Sequence, residues 1–398
     1  MHPSPLVQDP QEHLPSLLST DAQELSYQLQ QHQAKIFPPQ SRKTLRAFSP
    51  AEAASFIGIG EGYLRQVAAD GHGPEPLANG RRLYTALDMD RIRQVLDERN
   101  GGPKYVPHRR AGEKLQVVSV MNFKGGSGKT TTSAHLAQFL ALKGYRVLAI
   151  DLDPQASLSA LFGHQPELDV GEGETLYGAI RYDAPRPIAE IVRATYTPNL
   201  HLIPGNLELM EFEHETPKAM MSGRAESMFF ARIGEALTEI ESFYDVVVVD
   251  CPPQLGFLTM SALCAATSTL ITVHPQMLDV MSMSQFLTMT SELMSVVEKA
   301  GGRTSYDWMR YLVTRFEPND GPQSQMTGFM RAIFGNRMLN SAMVKSTAVA
   351  DAGVTKQTLY EVDRSQFTRG TYDRAIESLG QVNGEVEALI RSTWGRRS

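Results

Sequence analysis

Two cysteines in 398 residues, Cys251 and Cys264, are too few for a disulfide framework and lack the CxxC spacing of a metal site. Buried thiols in a reducing compartment are the reading that remains. No uninterrupted apolar run approaches the roughly 20 residues that a membrane-spanning helix needs. The first residues lack the basic-then-apolar pattern of a secretory leader, so a cytoplasmic protein with no membrane association is expected. Positive charge is not in excess either. There are 38 Lys and Arg against 44 Asp and Glu, a net charge of −6, so any nucleic-acid-binding surface must be local. Neither an internal repeat nor a metabolic acid–base set stands out. What is present, 42% hydrophobic and 21% charged residues, suits a soluble chain long enough for two or three domains.

Composition divides the chain into zones. Residues 1–45 are rich in Gln, Pro, His and Ser. They contain one helix-compatible stretch, Asp21–Phe37, whose sparse apolar residues (Leu25, Tyr27, Leu29, Ile36) suit a loosely ordered arm or a helix that packs against a second copy of itself. Residues 46–100 read as a compact unit. Ser49-Pro50-Ala51-Glu52 is a helix start with Ser as cap, Pro at the first position and Glu closing the capping box. A helix Pro50–Phe56 ends near Gly58, and a short turn leads to a second helix, Glu61–Ala69. A Gly/Pro-rich loop, an extended run Arg81–Thr85 and a helix Leu87–Arg99 follow. Helix, tight turn, helix and basic extended segment describe a winged helix-turn-helix. Residues 101–113 read as a linker.

In residues 114–398, strand-like and helical patterns alternate. The strand-like runs are Gln116–Met121, Arg146–Ile150, His201–Ile203, Asp245–Val249, Thr269–Val273 and Tyr311–Thr314, with helical stretches such as Thr130–Lys143 and Glu226–Ile240 between them. Near-continuous β-branched strands separated by helices predict an α/β fold with a mostly parallel sheet covered on both faces.

The stretch Met121–Ser133 carries the chemistry. Gly125, Gly126 and Gly128 follow a buried strand, and Lys129-Thr130-Thr131 opens a helix. Glycines let backbone N–H groups curl around phosphate oxygens, and the helix N-terminus adds partial positive charge. In such a loop Ser127 and Thr131 also face the phosphates, Lys129 reaches the β- and γ-phosphates, and the Thr130 hydroxyl ligates Mg²⁺. The strict G-x-x-x-x-G-K-[ST] pattern fails, because Phe123 stands where its first glycine belongs and a second lysine, Lys124, follows. Two further strands end in acid. Val147–Asp153 places Asp151 and Asp153 at a strand's carboxyl end, and Tyr244–Pro253 places Asp250 at another, positioned to hold Mg²⁺.

KGGSGKTTT (Lys124–Thr132), DLDPQAS (Asp151–Ser157), NLHLIPGNLEL (Asn199–Leu209) and YDVVVVDCPP (Tyr244–Pro253) together resemble the ParA partition ATPases, within the deviant Walker A ATPases. The resemblance covers about Leu115 to Arg391. A winged-helix unit ahead of the ATPase resembles the large plasmid-encoded subclass and, in general likeness, the RepA proteins of RepABC-type plasmids. The resemblance implies a P-loop fold and weak hydrolysis of ATP to ADP with Mg²⁺. It also implies an ATP-dependent homodimer and a ParB-type partner. On this likeness Lys124 reaches across the dimer to the partner's phosphates and Lys129 acts in cis. Asp153 positions the attacking water, Asp151 supports it, and Thr130 and Asp250 hold the metal. A role like that of the nitrogenase iron protein lacks its cysteines. A MinD-like membrane role would need a C-terminal amphipathic helix, whereas Thr371–Trp394 more simply closes the core.

Two DNA contacts are expected. In the 41–110 segment twelve Arg and Lys face eight Asp and Glu, a local excess of four on an acidic chain. Tyr63, Arg65 and Gln66 on the second helix, with Arg81 and Arg82 on the wing, are the candidate operator contacts for autorepression. A dimerisation module with scattered charge is the alternative. The resemblance implies a second, non-specific contact that coats nucleoid DNA, in a region holding Arg331, Arg337, Lys345 and Lys356, with Lys345 the candidate. The chain departs from relatives at Ala348, where many carry a basic residue. An ATP-switched repressor with no segregation role is the competing function.

Overall fold

The computed structural model describes residues 13–36, 43–222 and 228–396. These fall into two units, one ending at Lys43 and one running from Thr44 onward. In the first, a helix spans Leu14–Ile36, beginning seven residues before the expected start. Leu14, Leu18 and Leu25 on it are exposed. The expected end at Phe37 and the start at Glu226 of another helix lie outside the described residues; that helix is seen from Arg232 to Ile240.

The second unit is built on a seven-stranded sheet. In chain order the strands are β1 (Gln116–Met121), β2 (Val147–Asp151), β3 (Arg193–Ala194), β4 (Leu200–Ile203), β5 (Val246–Asp250), β6 (Ser268–Val273) and β7 (Trp308–Val313). Across the sheet they run β3-β4-β2-β5-β1-β6-β7, all parallel except the short edge pair β3–β4. Valine runs form these strands because both faces are covered. Val118, Val120, Val246 and Val248 pack into one core with the helices Lys129–Leu142 and Arg369–Thr393. Val117, Val247 and Val249 pack into the other, against Arg232–Ile240, Phe257–Ala265 and Met277–Lys299. Val386 and Ile390 near the chain's end are fully buried, so the tail's apolar residues are used in the core. No helix among the described residues is long and apolar enough to cross a membrane.

The helical unit at 46–100 forms as its caps dictate. Ser49 and Glu52 make the reciprocal capping box at the start of Pro50–Ile57. A second box, Thr85 with Asp88, starts the helix Ala86–Asn100. Between them stands the helix Glu61–Val67. The wing is where expectation and structure part. Arg81–Thr85 forms one antiparallel bridge, between Tyr84 and Phe48, and the Arg81 carbonyl accepts the Leu77 amide at 2.7 Å, so the helices of the expected unit are present while no named strand forms a wing among the described residues. Leu83 is exposed and Arg82 donates to the Pro74 carbonyl.

This unit shares its core with the sheet-based half. Phe48, Leu64, Tyr84, Met89 and Leu96 belong to the same buried cluster as Val118 and Leu140. Residues 101–113 are likewise fastened. Asp97 accepts the amides of Lys104, Tyr105 and Val106 at 2.7–3.0 Å. Arg396 donates to the carbonyls of Pro107 and His108 and pairs with Glu113. Buried Asp245 accepts the amides of Arg109 and Arg146, both at 2.8 Å, and the Arg146 guanidinium. Burial pushes the Asp245 pKa up, but these donors outweigh it and hold the carboxyl below its ordinary value.

Asp245→Ala should therefore lower stability by about 3 kcal/mol at neutral pH, since it leaves two amides without an acceptor and the Arg146 guanidinium with only the Ser242 carbonyl. Because the folded pKa is depressed, the difference between wild type and variant should shrink as pH falls through the folded value of Asp245. Urea denaturation at pH 7 and at acid pH measures both.

Candidate nucleotide site

The loop between β1 and the helix Lys129–Leu142 is gripped from three sides. Asn122 donates to the Thr272 carbonyl at 2.5 Å and accepts the Lys124 amide at 3.1 Å. Thr314, just past β7, donates its hydroxyl to the Ser127 carbonyl at 2.7 Å, and Arg315 donates to the Gly126 carbonyl at 3.2 Å. Gly128 has φ +84°, and a β-carbon there would meet Thr314 Cβ at 3.3 Å, so the turn needs glycine for conformation and for space. Phe123 needs neither. Its ring stacks on Phe286 of the helix Met277–Lys299, centroids 5.5 Å apart, so packing replaces the first glycine of the usual loop.

The charged groups converge at the carboxyl ends of β1, β2 and β5. Thr130 Oγ1 donates to Asp250 Oδ2 at 2.7 Å and Ser133 Oγ to Asp250 Oδ1 at 2.9 Å. Asp151 lies beside Asp250 in strand register and accepts the Ser159 amide and hydroxyl at 2.8 and 2.7 Å. Both carboxyls are wholly buried, and burial pushes both pKa values up; for Asp151 the adjacent Asp250 adds to it. Burial likewise pushes the neighbouring Cys251 thiol up, which makes it unreactive. Lys129 Nζ lies 3.3 Å from the Lys124 carbonyl, curled over the loop. Its pKa is lowered by burial, against the opposing pull of Asp250 and Asp153. Asp153 is half-buried, and its Oδ1 accepts the Gln155 amide at 3.0 Å.

Part of this group lines a cavity of about 730 Å³, while Asp151 and Asp250 are buried behind its wall. Gly125, Gly126, Gly128, Lys129, Thr130, Thr131 and Asp153 all face it. Its far wall is the segment Met343–Ala350 with Leu379. Sequence reading missed that wall, and with it Arg315. The only signal was position: Thr314 and Arg315 follow a parallel strand at its carboxyl end, where ligands sit in such sheets. Lys124 is held elsewhere. Its ammonium lies 2.6 Å from Asp279 Oδ1, on the helix that Phe123 packs against, and His274 stands 3.8 Å from the same carboxylate.

The DNA candidates separate into two places. Tyr63, Arg65 and Gln66 are exposed on Glu61–Val67, where Arg65 pairs with Glu61. Arg81 is exposed, whereas Arg82 is bound to the Pro74 carbonyl at 3.0 Å. Lys345 lines the nucleotide cavity and pairs with Glu317 at 2.9 Å. Arg331 and Arg337 are exposed, and Ala348 is fully buried, which leaves no room there for a basic side chain.

Residues 115–300 match the family model of an AAA domain. Over 390 residues the chain is 60% identical to a protein of Rhizobium rhizogenes named replication protein A, covering 96% of each. It is 28% identical over 371 residues to protein SopA of Escherichia coli, covering 89% of this chain and 92% of SopA. A solved structure described as a partition protein matches with a TM-score of 0.61 at 17% identity, over 92% of this chain and 100% of that one, a likeness of fold. With a P loop whose first glycine is exchanged for a second lysine's neighbour, and relatives matched over nearly their whole length, the chain belongs to the ParA-type family of partition ATPases.

Proposed function

We propose that this chain hydrolyses ATP as a nucleotide-dependent dimer and binds DNA to segregate a replicon with a ParB-type partner. On this reading it also represses its own operon through residues 46–100. The observation that carries the reading is the convergence of Lys129, Thr130 and Asp153 on one cavity, with Asp250 buried behind Thr130 and bonded to it, and Lys124 beside the loop yet paired with Asp279.

The donor set suits a magnesium–nucleotide complex. A hydroxyl and a carboxylate already in contact offer hard oxygen ligands of the kind Mg²⁺ takes, directly or through water. The bound ion supplies neutralisation of phosphate charge. The chain's own residues do the rest. Lys129 and the loop amides hold the phosphates, and Asp153 orients water at the cavity's edge. The wall at Met343–Ala350 shields the base. In phosphoryl transfer, positioning and charge supply nearly all of the acceleration. Lys124, released from Asp279, serves the partner's phosphates as an arginine finger does.

Exposed Tyr63, Arg65 and Gln66 on a short helix support operator reading, and the local basic excess supports attraction to phosphate. Non-specific nucleoid binding through the ATPase half, with Lys345 as a participant, belongs to the same proposal.

Lys129→Ala and Lys124→Ala should each cut ATP turnover by about 100-fold or more while leaving a folded protein. A wild-type rate in Lys124→Ala, measured by phosphate release with DNA and partner present, overturns the reading in trans. Metal binding needs an ionised Asp250, whose pKa is raised. Turnover should accordingly fall on acidification before ordinary carboxylates titrate, an effect seen in a pH–rate profile at saturating Mg²⁺. Arg65→Ala should weaken operator binding by about 1–3 kcal/mol and leave the salt slope nearly unchanged if it reads a base. Footprinting and salt titrations distinguish that outcome from loss of a phosphate contact, which lowers the slope by about one.

A further inference from the structure

One buried cation joins the two halves of the second unit. Arg93, on the helix Ala86–Asn100, is only 2% exposed. Its guanidinium donates to the carbonyl of Leu142 at 2.5 Å and to the carbonyl of Phe56 at 3.1 Å, and it pairs with Asp90 at 2.5 Å. Leu142 is the last residue of the phosphate-loop helix, and Phe56 lies in the last turn of Pro50–Ile57. The negative ends of two helix dipoles therefore meet on one positive charge, an arrangement that binds them to each other. The chain makes room for it. Gly144 has φ +96°, and a β-carbon there would lie 3.0 Å from Arg93 Nη1. Around the clasp, Phe56 packs edge-on against Phe139 of the phosphate-loop helix, and Asn199 donates to Asp90 at 2.6 Å.

The geometry has a direction. The phosphate-loop helix has Lys129 and Thr130 at its N-terminus and Leu142 at its C-terminus, about 20 Å from Lys129 at 1.5 Å per residue. Past Phe56 the chain turns through Gly58-Ile59-Gly60 straight into Glu61–Val67, which presents Tyr63, Arg65 and Gln66. A packed helix moves as a body, so a shift at its phosphate end is delivered to Arg93. We infer that Arg93 is the coupling residue through which a nucleotide at the phosphate loop sets the DNA affinity of the 46–100 unit. This rests on the ATP- and DNA-binding reading given above and names how its two sites are connected.

The wild-type chain alone gives the first test. Hydrogen exchange with and without a non-hydrolysable ATP analogue plus Mg²⁺ should show altered protection in peptides covering 50–67, far from the cavity. Unaltered exchange there, with nucleotide bound, overturns the inference. The second test uses Arg93→Lys, which keeps the charge but loses the fork, and Gly144→Ala, which crowds the clasp from the other side. In full-length protein, binding to DNA from its own operon should change about five-fold or more between nucleotide-free and nucleotide-bound wild type. In either variant that ratio should fall toward one, with nucleotide affinity within two-fold of wild type. A wild-type ratio retained in both variants overturns the role of Arg93. Failure of the wild type to bind nucleotide or DNA at all defeats the underlying reading instead, so the two failures are distinguishable.

Discussion

The contact between the Thr130 hydroxyl and the buried carboxylate of Asp250 is the constraint on which the site depends. Asp250 ends β5, the strand between β1 and β2, and Ser133 grips its other oxygen one helical turn further on. Two hydroxyls from one helix thus fix that helix against the sheet, which in turn fixes where Lys129 and the loop amides stand. The arrangement is unfavourable for stability alone. Two carboxyls, Asp151 and Asp250, are wholly buried as register partners, and burial resists the ionisation of both. A chain selected only to fold would continue the valine run through both positions. Buried acids at strand ends are more often found at functional sites than in cores built for stability alone.

Much of this was legible beforehand, for physical reasons. The six anticipated strands were found to within a few residues, because runs such as Asp245–Val249 are too apolar to be anything but doubly covered strand. The phosphate loop was legible because glycine, lysine and threonine at that spacing have few other uses. The two-residue strand β3 was invisible, since Arg193–Ala194 carries no period and exists only through pairing with β4. Lys345 was assigned to DNA contact, yet it and most of Met343–Ala350 wall the candidate nucleotide cavity. No local pattern marks a loop that matters only by where β7 and the helix Arg369–Thr393 bring it. Asp279 was missed for the same reason: it lies 155 residues from Lys124, and only the fold brings the two to 2.6 Å. The run Arg81–Thr85 makes one bridge, Tyr84 with Phe48, because a local sequence can indicate an extended segment but cannot supply the partner strand.

The two halves of the second unit differ from the beads-on-a-string picture that composition suggested. Gly101–Arg110 has the glycine, proline and charge of a tether, but each feature is spent on attachment: Asp97 collects three amides, Asp245 collects Arg109, and Arg396 returns from the far end of the chain to close the segment. Shared core residues add to this, since Phe56 touches both Phe139 and Tyr360. A connection with this many buried contacts does not leave its domains independent, unlike the small polar interfaces that permit free motion.

That rigidity changes how a dual role must be understood. If residues 46–100 were tethered loosely, nucleotide and DNA would occupy independent sites, and their affinities would be unrelated. With the phosphate-loop helix ending on Arg93, any nucleotide state that moves the helix must do work against the contacts at Phe56 and Asp90. Linkage then demands reciprocity: whatever factor the nucleotide applies to DNA affinity, DNA applies to nucleotide affinity. Lys124 and Arg93 stand at opposite ends of one rigid element, the first parked on Asp279 beside the loop, the second clasping its far carbonyl. On the proposed reading, that helix connects a dimer contact at one end with a DNA contact at the other.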